Sequence, residues 1–248
     1  MHDTLTFNHS PSVSSSFKLE CTDPRIPVDD SNILTRVYRH FQDRISGAIE
    51  IYLEKIIPTG GGLGGGSSNA AAFLLYLNHT FEWGYSLEEL ETIGITFGSD
   101  VPFFLSGGRA LVSGIGESVR PLAPSQPVFF VLITPSISIS TKQAYQWLDE
   151  SCCFAKKSGS IDSKFNSFKS VVFSKTPLFS DIENCLIQLG APELRLSGTG
   201  STLFLTCESL KKAQFWKKQC QTYFPAHPIE VYAPVQKGST WEIEPSGF

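Results

Sequence analysis

The residues of this chain best suited to chemistry are glycines. The run Pro58-Thr59-Gly60-Gly61-Gly62-Leu63-Gly64-Gly65-Gly66-Ser67-Ser68-Asn69 places six glycines in seven positions. Without a Cβ, each lets its backbone N–H approach a ligand closely, and several such groups can point inward together. A helix starting there would add its free N–H groups and the positive end of its dipole. Ser67 and Ser68 add hydroxyl donors, and the combination suits a polyphosphate. The plainer reading is a glycine-rich turn with Ser68 or Asn69 as a helix cap. Glycine costs roughly 0.5–1 kcal/mol relative to alanine where the chain is regular, and a plain turn needs only one or two, so six favour the anion site. Gly60-x-Gly62-x-x-Gly65 also fits the dinucleotide fingerprint, but so dense a run satisfies many patterns. No Gly-Lys-Ser/Thr follows, so a P-loop lysine is excluded.

Two further stretches carry polar groups at glycine turns. Gly98-Ser99-Asp100-Val101-Pro102-Phe103-Phe104 sets a carboxylate just before a proline. By local rules Asp100 could cap a short helix with Pro102 in its first turn. Leu196-Ser197-Gly198-Thr199-Gly200-Ser201-Thr202-Leu203-Phe204 reads as a tight turn between two strands. Gly114-Ile115-Gly116-Glu117 reads as a structural hairpin turn.

The elements that must position these motifs follow from periodicity. Ile49-Glu50-Ile51-Tyr52-Leu53-Glu54 alternates as a half-buried strand and Pro58 ends it. A Rossmann first strand would instead be a continuous apolar run. Residues 69–77 form an almost wholly apolar helix, hence one buried on all sides. Ahead of them, Thr4-Leu5-Thr6-Phe7 alternates like a strand, and 10–16 and 24–30 are polar loops. Ser31 is placed to cap a helix whose Ile33, Leu34, Val37, Tyr38, Phe41 and Ile45 share a face. A helix around 87–93 and strands around Ala110-Leu111-Val112 follow.

Three prolines in residues 121–127 mark the expected boundary between domains 1–124 and 125–248. Beyond it come a strand at 128–133 and a helix capped by Thr141 that carries Ala144, Tyr145 and Leu148. The polar stretch 151–175 yields no element. A helix through Leu178, Ile182, Cys185, Leu186 and Leu189 is stopped by Gly190. Strands at 194–196 and 203–205, a helix from Ser209 and a strand at 229–232 complete the chain. That order of strand, helix, helix, strand, strand, helix, strand implies an α+β sandwich with helices on one face.

Bulk properties narrow the function. Hydrophobic residues are 41% and charged residues 18%, a globular composition, and the net charge of -4 gives no electrostatic reason to expect a nucleic-acid partner. Cys21, Cys152, Cys153, Cys185, Cys207 and Cys220 form no C-x-x-C pair and the histidines are scattered, so no zinc spacing appears. Scattered thiols fit a reducing cytosol. The opening residues have no signal-peptide pattern and 128–133 is too short to span a bilayer, so a cytoplasmic protein with no membrane partner is expected. The sequence specifies no oligomeric state.

The strand, glycine loop and helix with Gly-Leu-Gly-Gly-Gly-Ser-Ser-Asn-Ala-Ala resemble the central phosphate loop of the GHMP kinases. The resemblance implies that Pro58, Thr59, Gly60, Gly61, Gly62, Leu63, Gly64, Gly65, Gly66, Ser67 and Ser68 form the ATP site, with Mg2+ arriving on the nucleotide. Gly98-Ser99-Asp100-Val101-Pro102-Phe103-Phe104 resembles a signature of the branch acting on 4-diphosphocytidyl-2-C-methyl-D-erythritol. It implies that Asp100 is catalytic, taking or orienting the proton of the substrate hydroxyl. The third glycine motif resembles the C-terminal motif of the class, and Asn166-Ser167-Phe168-Lys169 is a poor match to the family's Asn-Asp-Phe-Glu.

The fold implied is a two-domain GHMP kinase: a ribosomal-protein-S5-like N-terminal domain, here truncated, and a ferredoxin-like C-terminal domain. The family pattern opens with Ser-Pro-Ala-Lys-x-Asn and an Asp-Gly-Tyr-His loop, and neither occurs here. His2-Asp3-Thr4-Leu5-Thr6-Phe7 matches the strand after them, so the chain is expected to start a few dozen residues late. The lysine that partners the aspartate in the family has no counterpart. Activity is then expected either as phosphorylation of the 2-hydroxyl in non-mevalonate isoprenoid synthesis or as nucleotide binding by an inactive remnant. A homoserine or mevalonate kinase and a dinucleotide-dependent oxidoreductase are the rival readings.

Overall fold

The computed structural model describes residues 1–11, 14–123, 128–151 and 166–235. Cys152, Cys153 and positions 124–127 of the expected boundary lie outside the described residues. The chain divides into two compact units. One holds the described residues of Met1–Ile57 and Gly64–Pro124, the other Pro58–Leu63 and the described residues of Ser125–Pro234.

In the first unit β1 (Thr4–Ser10), β2 (Ser16–Cys21) and β3 (Ala48–Glu54) form a sheet in the order β1-β3-β2. β1 runs antiparallel to β3, with Leu5 opposite Leu53 and Phe7 opposite Ile51. β2 runs parallel to β3 and reaches it through the crossover helix α1 (Ile33–Phe41). The alternation of β3 is realised: Ile49, Ile51 and Leu53 are buried while Glu50, Tyr52 and Glu54 face outward. On the buried face lies α2 (Gly65–Thr80), in which no residue from Ser67 to Asn78 is exposed. Phe73 of α2 is fully buried and stacks on Phe7 and Phe17 with ring centroids 5.6 and 6.2 Å away. Helices α3 (Leu87–Gly94) and α4 (Val101–Ser106) pack beside it, followed by a hairpin of β4 (Ala110–Ser113) and β5 (Ser118–Pro121).

Local chemistry corrects three expectations here. The cap of α1 is Asn32, whose side chain accepts the Leu34 N–H at 2.9 Å, whereas the Ser31 hydroxyl donates to Asp29. Strand ends take up part of the expected 10–16 loop, and β2 was not expected although its Phe17, Leu19 and Cys21 alternate with Lys18 and Glu20 as in a half-buried strand. Helix α2 starts at Gly65 and ends at Thr80, longer at both ends than 69–77.

The second unit orders its antiparallel sheet β7-β8-β6-β9. Its elements are β6 (Phe129–Ile133), α5 (Thr141–Ser151), α6 (Ser167–Lys175), α7 (Pro177–Gln188), β7 (Arg195–Leu196), β8 (Leu203–Cys207), α8 (Leu210–Tyr223) and β9 (Ile229–Tyr232). This is a β-α-β-β-α-β ferredoxin-like arrangement with three helices in its first crossover. Val131, Ile133, Leu203 and Leu205 are fully buried on one face of the sheet, while Phe130, Leu132 and Phe204 are half-buried on the other. Helix α6 lies inside the stretch that yielded no element. Its buried Val171, Val172 and Phe173 are consecutive and give no helical period. The cap of α5 is Ser140 and not Thr141, since the Ser140 hydroxyl accepts the Gln143 N–H at 3.1 Å.

Burial pushes the Cys220 thiol up to about 12, with the neighbouring Cys185 and Cys207 adding to the shift, and burial also raises Cys207. Thiolate is the reactive form. Iodoacetamide at pH 8 is therefore expected to label Cys21 and Cys185 in the native protein and to reach Cys207 and Cys220 only in denaturant. Mass spectrometry of the peptides checks this, and fast native labelling of Cys220 would contradict the packing.

Candidate active site

The glycine loop is shared between the two units. In the second, Gly61 and Gly62 lie against the turn between β7 and β8. Thr202 donates its N–H to the Gly61 carbonyl at 3.0 Å, and the Ser197 hydroxyl donates to the Gly62 carbonyl at 2.8 Å. The turn is closed by Gly200 N–H to Ser197 carbonyl at 2.8 Å and Ser197 N–H to Thr202 carbonyl at 2.9 Å. Gly62 has φ +70°, and a Cβ there would stand 2.2 Å from the Ser197 carbonyl oxygen. Only glycine fits that approach.

In the first unit the loop passes into α2. The residue before the helix is Gly64 at φ +68°, and no side chain caps it. Ser68 and Asn69 are therefore not caps: both lie within the helix, and the Ser68 hydroxyl donates to the Gly65 carbonyl at 2.8 Å. Among the described residues, the N–H groups of Gly62, Leu63, Gly64, Gly65, Gly66 and Ser67 donate to no other group of the chain. Gly64 to Ser67 carry the N–H groups that a helix start leaves free, and Gly62 and Leu63 extend the run.

Asp100 sits at the corner before α4 in the same unit. Its backbone takes the cap position, but its side chain accepts no cap hydrogen bond. The carboxylate is exposed and has no partner among the described residues. The capping role that local sequence suggested is thus not used. The corner is held from both sides. A Cβ on Gly98 would stand 3.7 Å from the Ser67 hydroxyl, which places the corner beside the start of α2. Phe104 of α4 covers Gly64, where a Cβ would meet its ring at 2.4 Å. The hairpin tip packs against the corner at Gly116, whose φ is +124° and whose Cβ would fall 2.0 Å from the Ser99 carbonyl oxygen. Glu117 accepts the Ile115 N–H at 2.6 Å and braces that tip.

The structure brings Ser67 near the Asp100 corner in one unit and seats Gly61 and Gly62 on the third motif in the other. It also adds a residue that the sequence pattern undervalued. Asn166 caps α6 by accepting the Phe168 N–H at 2.8 Å, and it donates to the carbonyls of Leu196 and Gly198, both at 2.9 Å. The asparagine of the poorly matched Asn166-Ser167-Phe168-Lys169 thus holds the third motif. Its place inside the polar stretch 151–175 gave no sign of this role.

An uncapped glycine-loop helix and an aspartate without a partner among the described residues thus lie in the same unit of an α+β frame. Residues 32–108 match the profile of the family described as GHMP kinases N terminal domain. A 4-diphosphocytidyl-2-C-methyl-D-erythritol kinase from Prosthecochloris aestuarii is 35% identical over 242 residues, covering 91% of this chain and 83% of that protein. The chain belongs to the 4-diphosphocytidyl-2-C-methyl-D-erythritol kinase family. The crystal structure of a 4-(cytidine 5'-diphospho)-2C-methyl-D-erythritol kinase superposes with a TM-score of 0.71 at 27% identity, covering 94% of this chain and 85% of that one. A homoserine kinase from Cytophaga hutchinsonii has the same TM-score of 0.71 at 20% identity, with coverage of 95% and 86%, and shares the fold.

Gly62→Ala is expected to destabilise the second unit by about 2 kcal/mol or more, through its positive φ and the Ser197 carbonyl. Urea unfolding followed by tryptophan fluorescence checks this, and an unchanged midpoint would show that the turn can move away.

Proposed function

We propose that the chain catalyses ATP-dependent phosphorylation of the 2-hydroxyl of 4-diphosphocytidyl-2-C-methyl-D-erythritol, a step of non-mevalonate isoprenoid biosynthesis. The observation that carries the reading is the run of six N–H groups, from Gly62 to Ser67 at the start of a 16-residue helix, that have no acceptor among the described residues. Donors of this kind, with the helix dipole behind them, suit the negative charge of nucleotide phosphates. Residues 58–68 are read as the ATP loop, and residues 1–124 and 125–248 as the N- and C-terminal domains of the kinase.

In the reaction the substrate hydroxyl oxygen attacks the γ-phosphorus of ATP. A new P–O bond forms, the bond to the β-phosphate oxygen breaks, and ADP leaves. Phosphoryl transfer asks little covalent chemistry of a protein, so positioning and charge stabilisation supply most of the rate. The loop N–H groups hold the phosphates. Asp100 accepts the hydroxyl proton or orients it, a role open to a carboxylate that does not cap its helix and pairs with no cation among the described residues. Mg2+ enters with ATP as part of the substrate. Among the described residues no group of three or more His, Cys, Asp or Glu side chains is placed to hold an ion of its own.

The substrate assignment rests on the 35% identity to a kinase of that name and on the Asp100-Val101-Pro102-Phe103-Phe104 signature. The homoserine kinase shares the backbone at a lower 20% identity. A cytoplasmic setting is supported by the free thiols of Cys21, Cys185, Cys207 and Cys220. No helix among the described residues is long and apolar enough to cross a membrane. The net charge of -4 supports small anionic ligands bound at a local site over any nucleic-acid partner.

The deciding measurement is ADP release from magnesium-ATP with and without the diphosphocytidyl substrate. Substrate-dependent release is expected, and ATP binding without release would mark a non-catalytic nucleotide-binding protein. Asp100→Ala is expected to lower turnover by roughly two to four orders of magnitude while nucleotide affinity stays within about twofold. Retained turnover would remove Asp100 from the chemistry. Gly64→Val places a branched side chain at φ +68° against the Phe104 ring. It is expected to weaken ATP binding at least tenfold by calorimetry, and unaltered affinity would count against the loop assignment.

A further inference from the structure

One buried polar cluster in the first unit is not used by the reaction just described. The Asp3 side chain is 1% exposed and pairs with Lys55, itself 6% exposed, at 3.0 Å. Asp3 Oδ1 accepts the backbone N–H groups of Ile56 at 2.8 Å and Ile57 at 2.7 Å, and Lys55 Nζ at 3.2 Å. Asp3 Oδ2 accepts Asn69 Nδ2 at 3.0 Å. Lys55 Nζ also donates to the Ile57 carbonyl, and the Lys55 N–H donates to Thr22 Oγ1 at 2.9 Å.

The positions of these partners give the cluster its meaning. Asp3 stands just before β1, Lys55, Ile56 and Ile57 follow β3 directly, and Asn69 lies in the second turn of α2. The glycine loop occupies the stretch between Ile57 and Asn69. A single carboxylate therefore ties both stems of the loop, the strand that delivers it and the helix that receives it. The contact is close: a Cβ on Gly65, the first residue of α2, would stand 3.0 Å from Ile57 Cγ2 and 3.1 Å from Lys55 Nζ. A buried ion pair is a poor device for stability alone, because desolvation offsets most of its attraction and apolar side chains of the same volume serve as well. Charged hydrogen bonds do fix geometry, and here they fix the distance between the end of the strand and the helix start that carries the free N–H groups.

We infer that Asp3 is a positioning residue for the phosphate loop: with Lys55 and Asn69 it sets the separation of the loop's stems and so the direction of the N–H groups at the start of α2. This rests on the polyphosphate reading of the loop given above. The Asp3 side chain is buried against Lys55, Ile56, Ile57 and Asn69 and acts through the loop stems, so its loss should act on ATP and leave the diphosphocytidyl substrate alone.

Two variants of the full chain test this by calorimetric titration with magnesium-ATP and, separately, with the diphosphocytidyl substrate. Asn69→Ala removes one strut and leaves the ion pair. It is expected to weaken ATP binding roughly fivefold. Asp3→Asn removes the charge and strands Lys55, and is expected to weaken it by roughly tenfold or more. Affinity for the diphosphocytidyl substrate should stay within about twofold in both. Unchanged ATP affinity in the folded variants overturns the inference, as does an equal loss for both ligands, which would mean general loosening. Should Asp3→Asn fail to fold, Asn69→Ala decides alone. If the unaltered chain binds no magnesium-ATP, the phosphate-loop reading fails and takes this role with it. Binding by the unaltered chain with indifferent variants removes only the role of Asp3.

Discussion

Among the described residues, six backbone N–H groups in succession, from Gly62 to Ser67, donate to no other group of the chain. Such a segment cannot be held by the bonds that hold ordinary secondary structure, so its surroundings must hold it in other ways. On the carbonyl side, Thr202 and Ser197 bind the Gly61 and Gly62 oxygens and leave the Gly62 N–H free. At its far end the segment becomes α2, which is buried along most of its length and stacks Phe73 on the sheet aromatics. Asp3 then ties strand stem to helix stem. Glycine is needed where the approach is tightest, as at Gly62 beside the Ser197 carbonyl.

The acid at the corner before α4 obeys a related logic. Helix N-termini usually recruit a carboxylate to satisfy their free N–H groups. Asp100 occupies the right residue position, yet its backbone lies in the helical region, at φ -92° and ψ -12°, and its side chain turns elsewhere. Gly116 presses on the Ser99 carbonyl, and Gly98 allows close approach to Ser67. The hairpin tip thus packs on the corner that carries Asp100.

Backbone shape alone does not choose the substrate. A homoserine kinase and a 4-(cytidine 5'-diphospho)-2C-methyl-D-erythritol kinase match this chain with the same TM-score of 0.71. What separates them is sequence, 27% identity against 20%, as expected when one frame hosts several chemistries through differing site residues.

The sequence by itself determined whatever is encoded within a few residues. The glycine loop, the aspartate before Pro102, the alternation of β3 and the all-apolar stretch of α2 depend on local composition and period, and each was legible. So was the α+β order of the second half, apart from α6, whose apolar residues are consecutive. Caps were the least legible. Asn32 and Ser140 displaced Ser31 and Thr141, because adjacent polar residues compete for the same N–H groups and small differences in loop geometry choose between them. Tertiary structure alone decided the long-range partners: Asn166 on Leu196 and Gly198, Ser197 on Gly62, and Asp3 on both stems of a loop more than fifty residues away. Those bonds join residues that share no period and no motif. They exist only after packing has brought the segments together, so no local rule could have announced them.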